Sequence, residues 1–191
     1  MTKARLETFS DGVLAIIITI MVLELRVPHG TEGEALRPLV PVFLAYVLSF
    51  INLGIYWNNH HHMLFLVERV NGKILWANLH LLFWLSLFPF ATGWMGENEF
   101  ASLPTASYGV VSLLAAIAYY ILQTTIVADQ GPDSKLAFAL GKDVKGKLSP
   151  LLYIAGISSA FVNRWIALAL YIIVALMWLI PDRRIESVLE R

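Results

Sequence analysis

Ionisable side chains that interrupt the apolar stretches of this chain are the first candidates for chemistry. Asp11 stands between Ser10 and a long aliphatic run, and three of the five histidines are consecutive at 60–62. A carboxylate beside a histidine can transfer protons or orient a hydrogen-bond network. Ser10 and Asp11 equally fit the N-cap of a helix that begins there. The residue types alone leave both interpretations open.

The histidines do not form the pattern of a metal site. Consecutive helical residues point about 100° apart, so the three histidines at 60–62 cannot all bind one ion. His29 and His80 lie on other segments, and no H-E-x-x-H pattern occurs. The chain has no cysteine, which excludes thiolate catalysis and cysteine-ligated zinc. We therefore expect no catalytic residue, no resident metal and no cofactor.

The composition indicates an all-α integral membrane protein. Of the 191 residues, 58% are hydrophobic and 15% are charged, against about 25% charged in soluble domains. The mean hydropathy is +0.66. The formal net charge is 0, so no basic excess is available to neutralise nucleic-acid phosphates. The expected surroundings are a lipid bilayer.

Six segments are candidates for membrane-spanning helices in a single domain, since a bilayer core requires roughly 20 apolar helical residues. They lie near 6–26, 39–66, 74–95, 106–128, 149–162 and 165–180. The last two are short. One helix over 149–180 would place Arg164 at mid-bilayer, where a charge is costly. The sequence therefore predicts a helical hairpin that turns at Asn163–Arg164.

Loop charges predict that both termini are cytoplasmic, because cytoplasmic loops collect Lys and Arg. With six spans, 11 basic residues fall in the inner segments and 3 in the outer loops. The inner ones are Lys3, Arg5, Arg69, Lys73, Lys135, Lys142, Lys145, Lys147, Arg183, Arg184 and Arg191. The outer ones are Arg26, Arg37 and Arg164. The sequence therefore predicts a multi-pass protein of the cell membrane.

The first predicted helix must include polar residues at its cytoplasmic end. Its unbroken apolar stretch, 13–23, has 11 residues, roughly 16 Å at the helical rise and too short to cross a bilayer. The helix therefore includes Phe9–Gly12, which brings Asp11 to the headgroup level. A carboxylate there needs a polar partner. Arg5, or a histidine or tryptophan on a neighbouring helix, fits that role.

One face of this helix is aliphatic. Ile16, Ile20 and Leu23 share it, with Thr19 beside them. On the symmetry axis of an oligomer, that face would form a narrow apolar neck with one ring of hydroxyls, a type of constriction that gates ions by dewetting. Packing against lipid or other helices is the alternative. Glu24, at the outer end, fits either a cation-attracting ring or a solvated helix end.

Four sequence motifs stand out along the chain. The main motif is R-x-x-x-F-S-D-G at 5–12, followed by the aliphatic run to Leu23. The others are W-x-x-H-H at 57–61, L-F-P-F-x-T at 87–92 and I-P-D-R-R at 180–184. Together they resemble the family of transmembrane protein 175, a lysosomal and endosomal potassium channel, and in particular its prokaryotic members. The resemblance covers most of the chain.

This resemblance implies a potassium-permeable homotetramer in a prokaryotic plasma membrane. Its pore would be lined by the first helix, without the carbonyl filter of ordinary potassium channels, and would favour potassium over sodium only modestly. The implied constriction residues are Ile16, Ile20 and Leu23. The implied selectivity residue is Thr19, and Glu24 lies at the mouth. The implied supporting hydrogen-bond network comprises Arg5, Ser10, Asp11, Trp57, His61, His80 and Trp84.

Three other functions stay open on the residues alone. A proton-coupled carrier for a small solute would use Asp11 and a histidine as its relay. Such carriers usually have internal repeats and broken helices, and neither is evident in the sequence. An intramembrane enzyme would need a nucleophile paired with its base, which the sequence does not suggest. A scaffold without transport activity is the remaining alternative.

Overall fold

The computed structural model describes residues 2–140 and 143–179, and every regular element in these ranges is helical. The α-helices are α1 (Lys3–Leu23), α2 (Val40–Phe65), α3 (Gly72–Ser86), α4 (Phe88–Glu97), α5 (Ser102–Gln130), α6 (Lys135–Leu140), α7 (Val144–Ser159) and α8 (Arg164–Leu179). A 3-10 segment, Gly33–Leu39, leads directly into α2. The prediction of an all-α protein is confirmed.

Within the residues that the structure describes, four helical stretches are long and apolar enough to cross a bilayer. They are Lys3–Leu23, Gly33–Phe65, Gly72–Glu97 and Ser102–Gln130, which correspond to the first four predicted spans. The helix α8 is apolar but has only 16 residues, and α7 is equally short. The spans predicted at 149–162 and 165–180 therefore stay predictions, as does the orientation of both termini. Lys142 and residues 180–191, with Arg183, Arg184 and Arg191, lie outside the described residues.

The third predicted span is two helices in succession. The helix α3 ends at Ser86, α4 begins at Phe88, and Leu87 belongs to neither. Pro89 lies in the first turn of α4, where its missing N–H has no partner to lose, whereas in a helix interior its ring would clash with the preceding turn. The proline therefore divides a stretch whose hydropathy is continuous.

The helices α7 and α8 are joined by a turn at 160–163, where the sequence places the bend of a hairpin. The side-chain Oδ1 of Asn163 accepts a hydrogen bond from the backbone N–H of Trp165 at 2.9 Å, so it satisfies a free donor at the start of α8. The polar stretch before α7 contains the short helix α6. The sequence predicts either a loop or a surface helix there.

A buried polar cluster connects α2, α4 and α5. The hydroxyls of Ser49 and Thr92 are 2.6 Å apart, and the side-chain amide of Asn52 donates to the Tyr108 hydroxyl at 2.9 Å. All four side chains are buried. Polar groups removed from water are stable only when paired in this way. The helix α1 packs on one side of this arrangement, against α2, α3 and α4.

The outer surface of the subunit carries many large apolar side chains. Exposed aliphatic and aromatic residues occur along α1, α2, α4 and α8, among them Phe43, Phe90, Ile172 and Leu176. In water such a surface would be unfavourable by about 25 cal/mol for each Å² of apolar area, but hydrocarbon or a second protein surface matches it. Together with the four long apolar helices, this surface is that of a membrane protein.

Candidate functional site

The helix α1 has two faces of different character. One face packs into the subunit through Leu6, Ser10, Leu14, Ile17 and Met21, all of them buried. The opposite face is left uncovered. Its aliphatic side chains are exposed by 60% at Ile16, 43% at Ile20 and 76% at Leu23. Helical periodicity places these three residues on one face, and the rest of the subunit does not cover that face.

Thr19 lies on the same exposed side of α1. Its hydroxyl donates a hydrogen bond to the backbone carbonyl of Ala15 at 2.8 Å. The proton of the hydroxyl is therefore directed back into the helix, and the lone pairs of the oxygen remain free to accept. An oxygen held in this orientation is a suitable ligand for a cation beside the helix.

The interpretation of Ser10 and Asp11 as an N-cap is wrong. The helix begins at Lys3, with Thr2 in the N-cap position, and residues 9–12 are continuously helical. Asp11 therefore lies about two turns inside α1, as the length argument requires. Its side chain is too far from the helix terminus to act as a cap, so it needs hydrogen-bond partners on other helices.

Asp11 finds a partner on α2. The indole N–H of Trp57 donates to Oδ1 of Asp11 at 3.0 Å. The ring of His61 is stacked on Trp57, with centroids 6.2 Å apart and planes inclined by 25°. Asp11, Trp57 and His61 are exposed in the single subunit. Three of the seven residues assigned to the supporting network thus lie together at one end of α1 and α2.

Ser10 belongs to a separate, buried chain of hydrogen bonds. The amide of Asn78, on α3, donates to Oγ of Ser10 at 3.0 Å, and its Oδ1 lies 2.7 Å from Nε2 of His60. Because an amide oxygen only accepts, Nε2 of His60 carries the proton. Oγ of Ser10 in turn donates to the carbonyl of Leu6 at 2.9 Å. The chain connects α1, α2 and α3.

Sequence reasoning places His61, not His60, in the network and assigns Asn78 only a general packing role. His60 is 3% exposed, whereas His61 points outward. A signal for this choice does exist in the sequence. His60 continues the helical period of Ser49 and Leu53 on the buried face of α2. A W-x-x-H-H motif alone does not say which of its histidines faces inward.

The remaining network candidates are not joined to Asp11 within one subunit. Nε2 of His80 accepts from the indole N–H of Trp84 at 2.9 Å, and both residues lie on α3. Arg5 is exposed on α1 and makes no hydrogen bond or ion pair within residues 2–140 and 143–179. In the single subunit, the residues assigned to the network, apart from Arg5, therefore form three separate local groups, and Arg5 belongs to none of them.

Glu24 comes directly after α1 and lies against α4. A Cβ atom added at Gly93 would be 3.1 Å from Oε2 of Glu24, so the carboxylate occupies space that the glycine leaves free. Burial and the negative charge of Glu97 raise the pKa of Glu24 above its usual range. Glu97 also pairs with Arg26, with an N–O distance of 3.3 Å. The end of α1 is thus surrounded by charged groups.

Comparisons with known proteins indicate the family of this chain. The family model described as "Endosomal/lysosomal potassium channel TMEM175" matches residues 5–89. A protein of Chryseobacterium sp. (strain P1-3) named a potassium channel is 56% identical over 190 residues, which cover 100% of this chain and 99% of that protein. Another potassium channel, of Streptomyces collinus, is 31% identical, with 92% and 91% covered.

A solved structure is similar over almost the whole fold. It is described as the crystal structure of a lysosomal potassium-selective channel TMEM175 homolog from Chamaesiphon minutus. It is 27% identical, covers 94% of this chain and 97% of its own, and superposes with a TM-score of 0.78. The fold and the α1 motif therefore define a membrane protein of an ion-channel class. The chain belongs to the TMEM175 family, and the prediction that it is not an enzyme is confirmed.

Proposed function

We propose that this chain forms a potassium-permeable channel from four copies. The exposed side chains of Ile16, Ile20 and Leu23 on α1, called the stripe below, would lie on the symmetry axis. The observation that carries the proposal is the uncovered aliphatic face of α1, opposite the face that packs into the subunit. The relatives named potassium channels support the ion, and the family resemblance supports the tetramer. The prokaryotic plasma membrane, with both termini cytoplasmic, is the proposed location.

In this tetramer, Ile16, Ile20 and Leu23 of each copy form successive apolar rings. Such a neck passes an ion only when the ion gives up part of its hydration, because apolar side chains offer no replacement ligands. Potassium is larger than sodium and binds its water less tightly, so it passes at lower cost. The hydroxyl oxygen of Thr19 offers a compensating ligand between the apolar rings.

Selectivity by this mechanism is modest. A carbonyl filter replaces the hydration shell of potassium at several successive sites, whereas this pore has one ring of hydroxyls. A proposed ring of Glu24 carboxylates at the mouth raises the local concentration of cations without distinguishing sodium from potassium. The selectivity therefore comes from the cost of dehydration in the neck.

The carrier alternative receives less support from the contacts of Asp11. A proton relay would pair this carboxylate with a histidine, but its hydrogen bond comes from the Trp57 indole, which is a donor only and does not ionise at neutral pH. His61 contacts the tryptophan ring and not the carboxylate. A structural role for Asp11, as a support for α1, suits this geometry better.

The test is potassium flux into liposomes that contain the purified protein. We expect an electrogenic flux that Ile16→Asn and Leu23→Asn increase severalfold, with reduced potassium-over-sodium selectivity, because a polar neck stays hydrated. Ile173→Asn is the matched control, since Ile173 is an exposed isoleucine on α8. The absence of flux, or a flux that the α1 variants leave unchanged, contradicts the proposal.

A further inference from the structure

A cavity lies inside the subunit, away from α1, among the helices α2, α5, α7 and α8. Its volume is about 50 Å³, counted as the space open to the centre of a water-sized sphere. The residues that line it include Ile55, Ala116, Gln123, Tyr153 and Val174. None of these residues belongs to the stripe or to the supporting network.

Two deeply buried polar side chains in this cavity lack partners. Gln123 is 6% exposed and Tyr153 is 4% exposed, and neither the amide nor the hydroxyl makes a hydrogen bond within the part of the chain that the structure describes. They come from different helices, α5 and α7. An amide or hydroxyl that is buried without a hydrogen-bond partner destabilises the folded state. The two unpaired groups therefore indicate that the cavity holds a molecule that forms hydrogen bonds with them.

The rest of the cavity restricts the chemistry of that occupant. Ile55, Ala116 and Val174 supply aliphatic wall. Asp143 is the one charged residue among the described lining residues, and its Oδ1 already accepts from the backbone N–H of Gly146 at 2.8 Å, as the N-cap of α7. No cationic side chain is among the described lining residues, so the cavity does not favour an anion. The cavity thus combines a neutral donor and acceptor pair with an apolar wall.

We propose that this cavity is a binding site for a small neutral amphipathic molecule of the short-chain alcohol class. Its hydroxyl would donate to Oε1 of Gln123 and accept from the Tyr153 hydroxyl, while its alkyl end contacts Ala116 and Val174. A cavity needs about 10–15 Å³ of such space for each water-sized group. The volume therefore fits a molecule of about three to five non-hydrogen atoms.

Water alone satisfies this cavity less well. One water could bond to Gln123 and Tyr153, but further waters in the remaining space would lie against Ile55, Ala116 and Val174, whose side chains offer no hydrogen-bond partner. An alcohol keeps the polar contacts and places its carbon atoms where water would be poorly bound, an exchange that gains affinity. This inference does not depend on α1 lining a pore, because the cavity and the stripe share no residue.

The test uses crystals of the full-length protein soaked in 2-bromoethanol, whose bromine is located by anomalous scattering. We expect a bromine peak in the cavity of the unchanged protein. Ala116→Leu fills the space and Gln123→Leu removes the amide, so we expect each variant to lose the peak. Ala128→Leu and Thr124→Val are the matched controls, because both positions are exposed on α5 and do not line the cavity. Both controls should retain it.

The presence or loss of the bromine peak in these proteins decides whether the cavity binds the alcohol. A peak lost in both cavity variants and retained in both controls supports the site. Because every variant is examined as a crystal, its folding is established in the same experiment. A cavity that holds only ordered water, or a bromine peak that survives both Ala116→Leu and Gln123→Leu, overturns the proposal.

Discussion

The side-chain amide of Asn78 holds three helices together. It donates to Ser10 on α1 and lies within hydrogen-bond distance of His60 on α2, and all three side chains are buried. No other polar group of the described residues is bonded to the His60 side chain. Loss of this amide therefore leaves the buried His60 side chain without a hydrogen bond, whereas Ser10 keeps its bond to the Leu6 carbonyl.

We expect Asn78→Leu to lower the free energy of unfolding by about 1–3 kcal/mol, because it leaves the buried His60 side chain without a hydrogen-bond partner. The measurement is thermal unfolding of the detergent-purified protein, followed by tryptophan fluorescence. Asn98→Ala is the control, since Asn98 is exposed and bonds only to the carbonyl of Trp94. Equal unfolding midpoints for the two variants would count against this role of Asn78.

The contact between Asp11 and Trp57 is a hydrogen bond to a carboxylate at the surface of the single subunit. We expect a double-mutant cycle of Asp11→Asn and Trp57→Phe to give a coupling energy of roughly 0.5–2 kcal/mol, below the full value for a charged hydrogen bond because both groups are exposed. The readout is the thermal unfolding of all four proteins. A control cycle uses Trp76→Phe in place of Trp57→Phe, because Trp76 is an exposed tryptophan on α3. This control cycle should give no coupling energy. Equal coupling in both cycles contradicts the assignment.

The raised pKa of Glu24 predicts a pH dependence of conduction. The carboxylate loses its charge as the pH falls through this raised pKa, so potassium uptake from its side decreases at a higher pH than an ordinary glutamate would give. Glu97→Gln removes the negative charge that helps to raise the pKa. The inhibition should then move to lower pH.

The measurement is potassium flux into liposomes as the pH on the Glu24 side is varied. Glu34→Gln serves as the control, because Glu34 is an exposed residue of the 3-10 segment and faces Arg37. It should leave the pH profile unchanged. A profile that Glu97→Gln moves to higher pH, or does not move, is inconsistent with this account of Glu24.

At the scale of helices, close packing in the α5, α7 and α8 region depends on two glycines. The ring of Tyr171 on α8 lies directly over Gly109 on α5 and Gly156 on α7, and a Cβ atom at either glycine would overlap it. The hydroxyl of Tyr171 donates to the carbonyl of Thr105 at 3.3 Å. The tyrosine therefore fits only because both opposing surfaces lack a side chain.

We expect Gly156→Ala to destabilise the protein by about 1–3 kcal/mol, because the added methyl group overpacks a filled interior. Gly54→Ala is the matched control. A Cβ atom there meets no atom within 4 Å, and alanine favours helix over glycine by about 0.5–1 kcal/mol. The unfolding temperature should therefore fall for the first variant and hold or rise for the second. The opposite order would show that α8 is not seated on α7 in this way.

At the scale of the whole molecule, the arrangement of four copies is the central prediction. The chain has no cysteine, so single cysteines placed along residues 9–24 can be cross-linked without interference. We expect copper phenanthroline to join copies that carry cysteine at Ile16, Ile20 or Leu23. Cysteine at Leu14 or Ile17, which are buried against the subunit, should remain unlinked.

The pattern along α1 is the readout, in membranes and not in detergent. Cross-linking confined to one face with a period near 3.6 residues places that face at a contact between copies. Cysteines at the exposed Ile172 and Ile173 of α8 test the competing arrangement, in which another helix lines the axis. Cross-linking there, with none on α1, would falsify the proposed pore.

Hydropathy, helical period and proline chemistry are local properties, so the features that depend on them alone could be predicted from the sequence. The four long apolar helices, the bend near Asn163 and the common face of Ile16, Ile20 and Leu23 are of this kind. The inclusion of Asp11 within α1 also came from length alone, since 11 apolar residues cannot cross a bilayer. The chemistry of Pro89 also predicts the division of the third span. The hydropathy is continuous across this proline, so hydropathy alone indicates a single helix.

Which polar side chains meet depends on the packing of the helices in three dimensions. This packing placed Asn78 between Ser10 and His60, selected a tryptophan among the possible partners of Asp11, and left Gln123 and Tyr153 unpaired around a cavity. These choices depend on the rotation of each helix about its axis, which is set by packing against all its neighbours at once. Residue type and spacing indicate which face of a helix is buried, but they do not say which side chain of a neighbouring helix that face will contact.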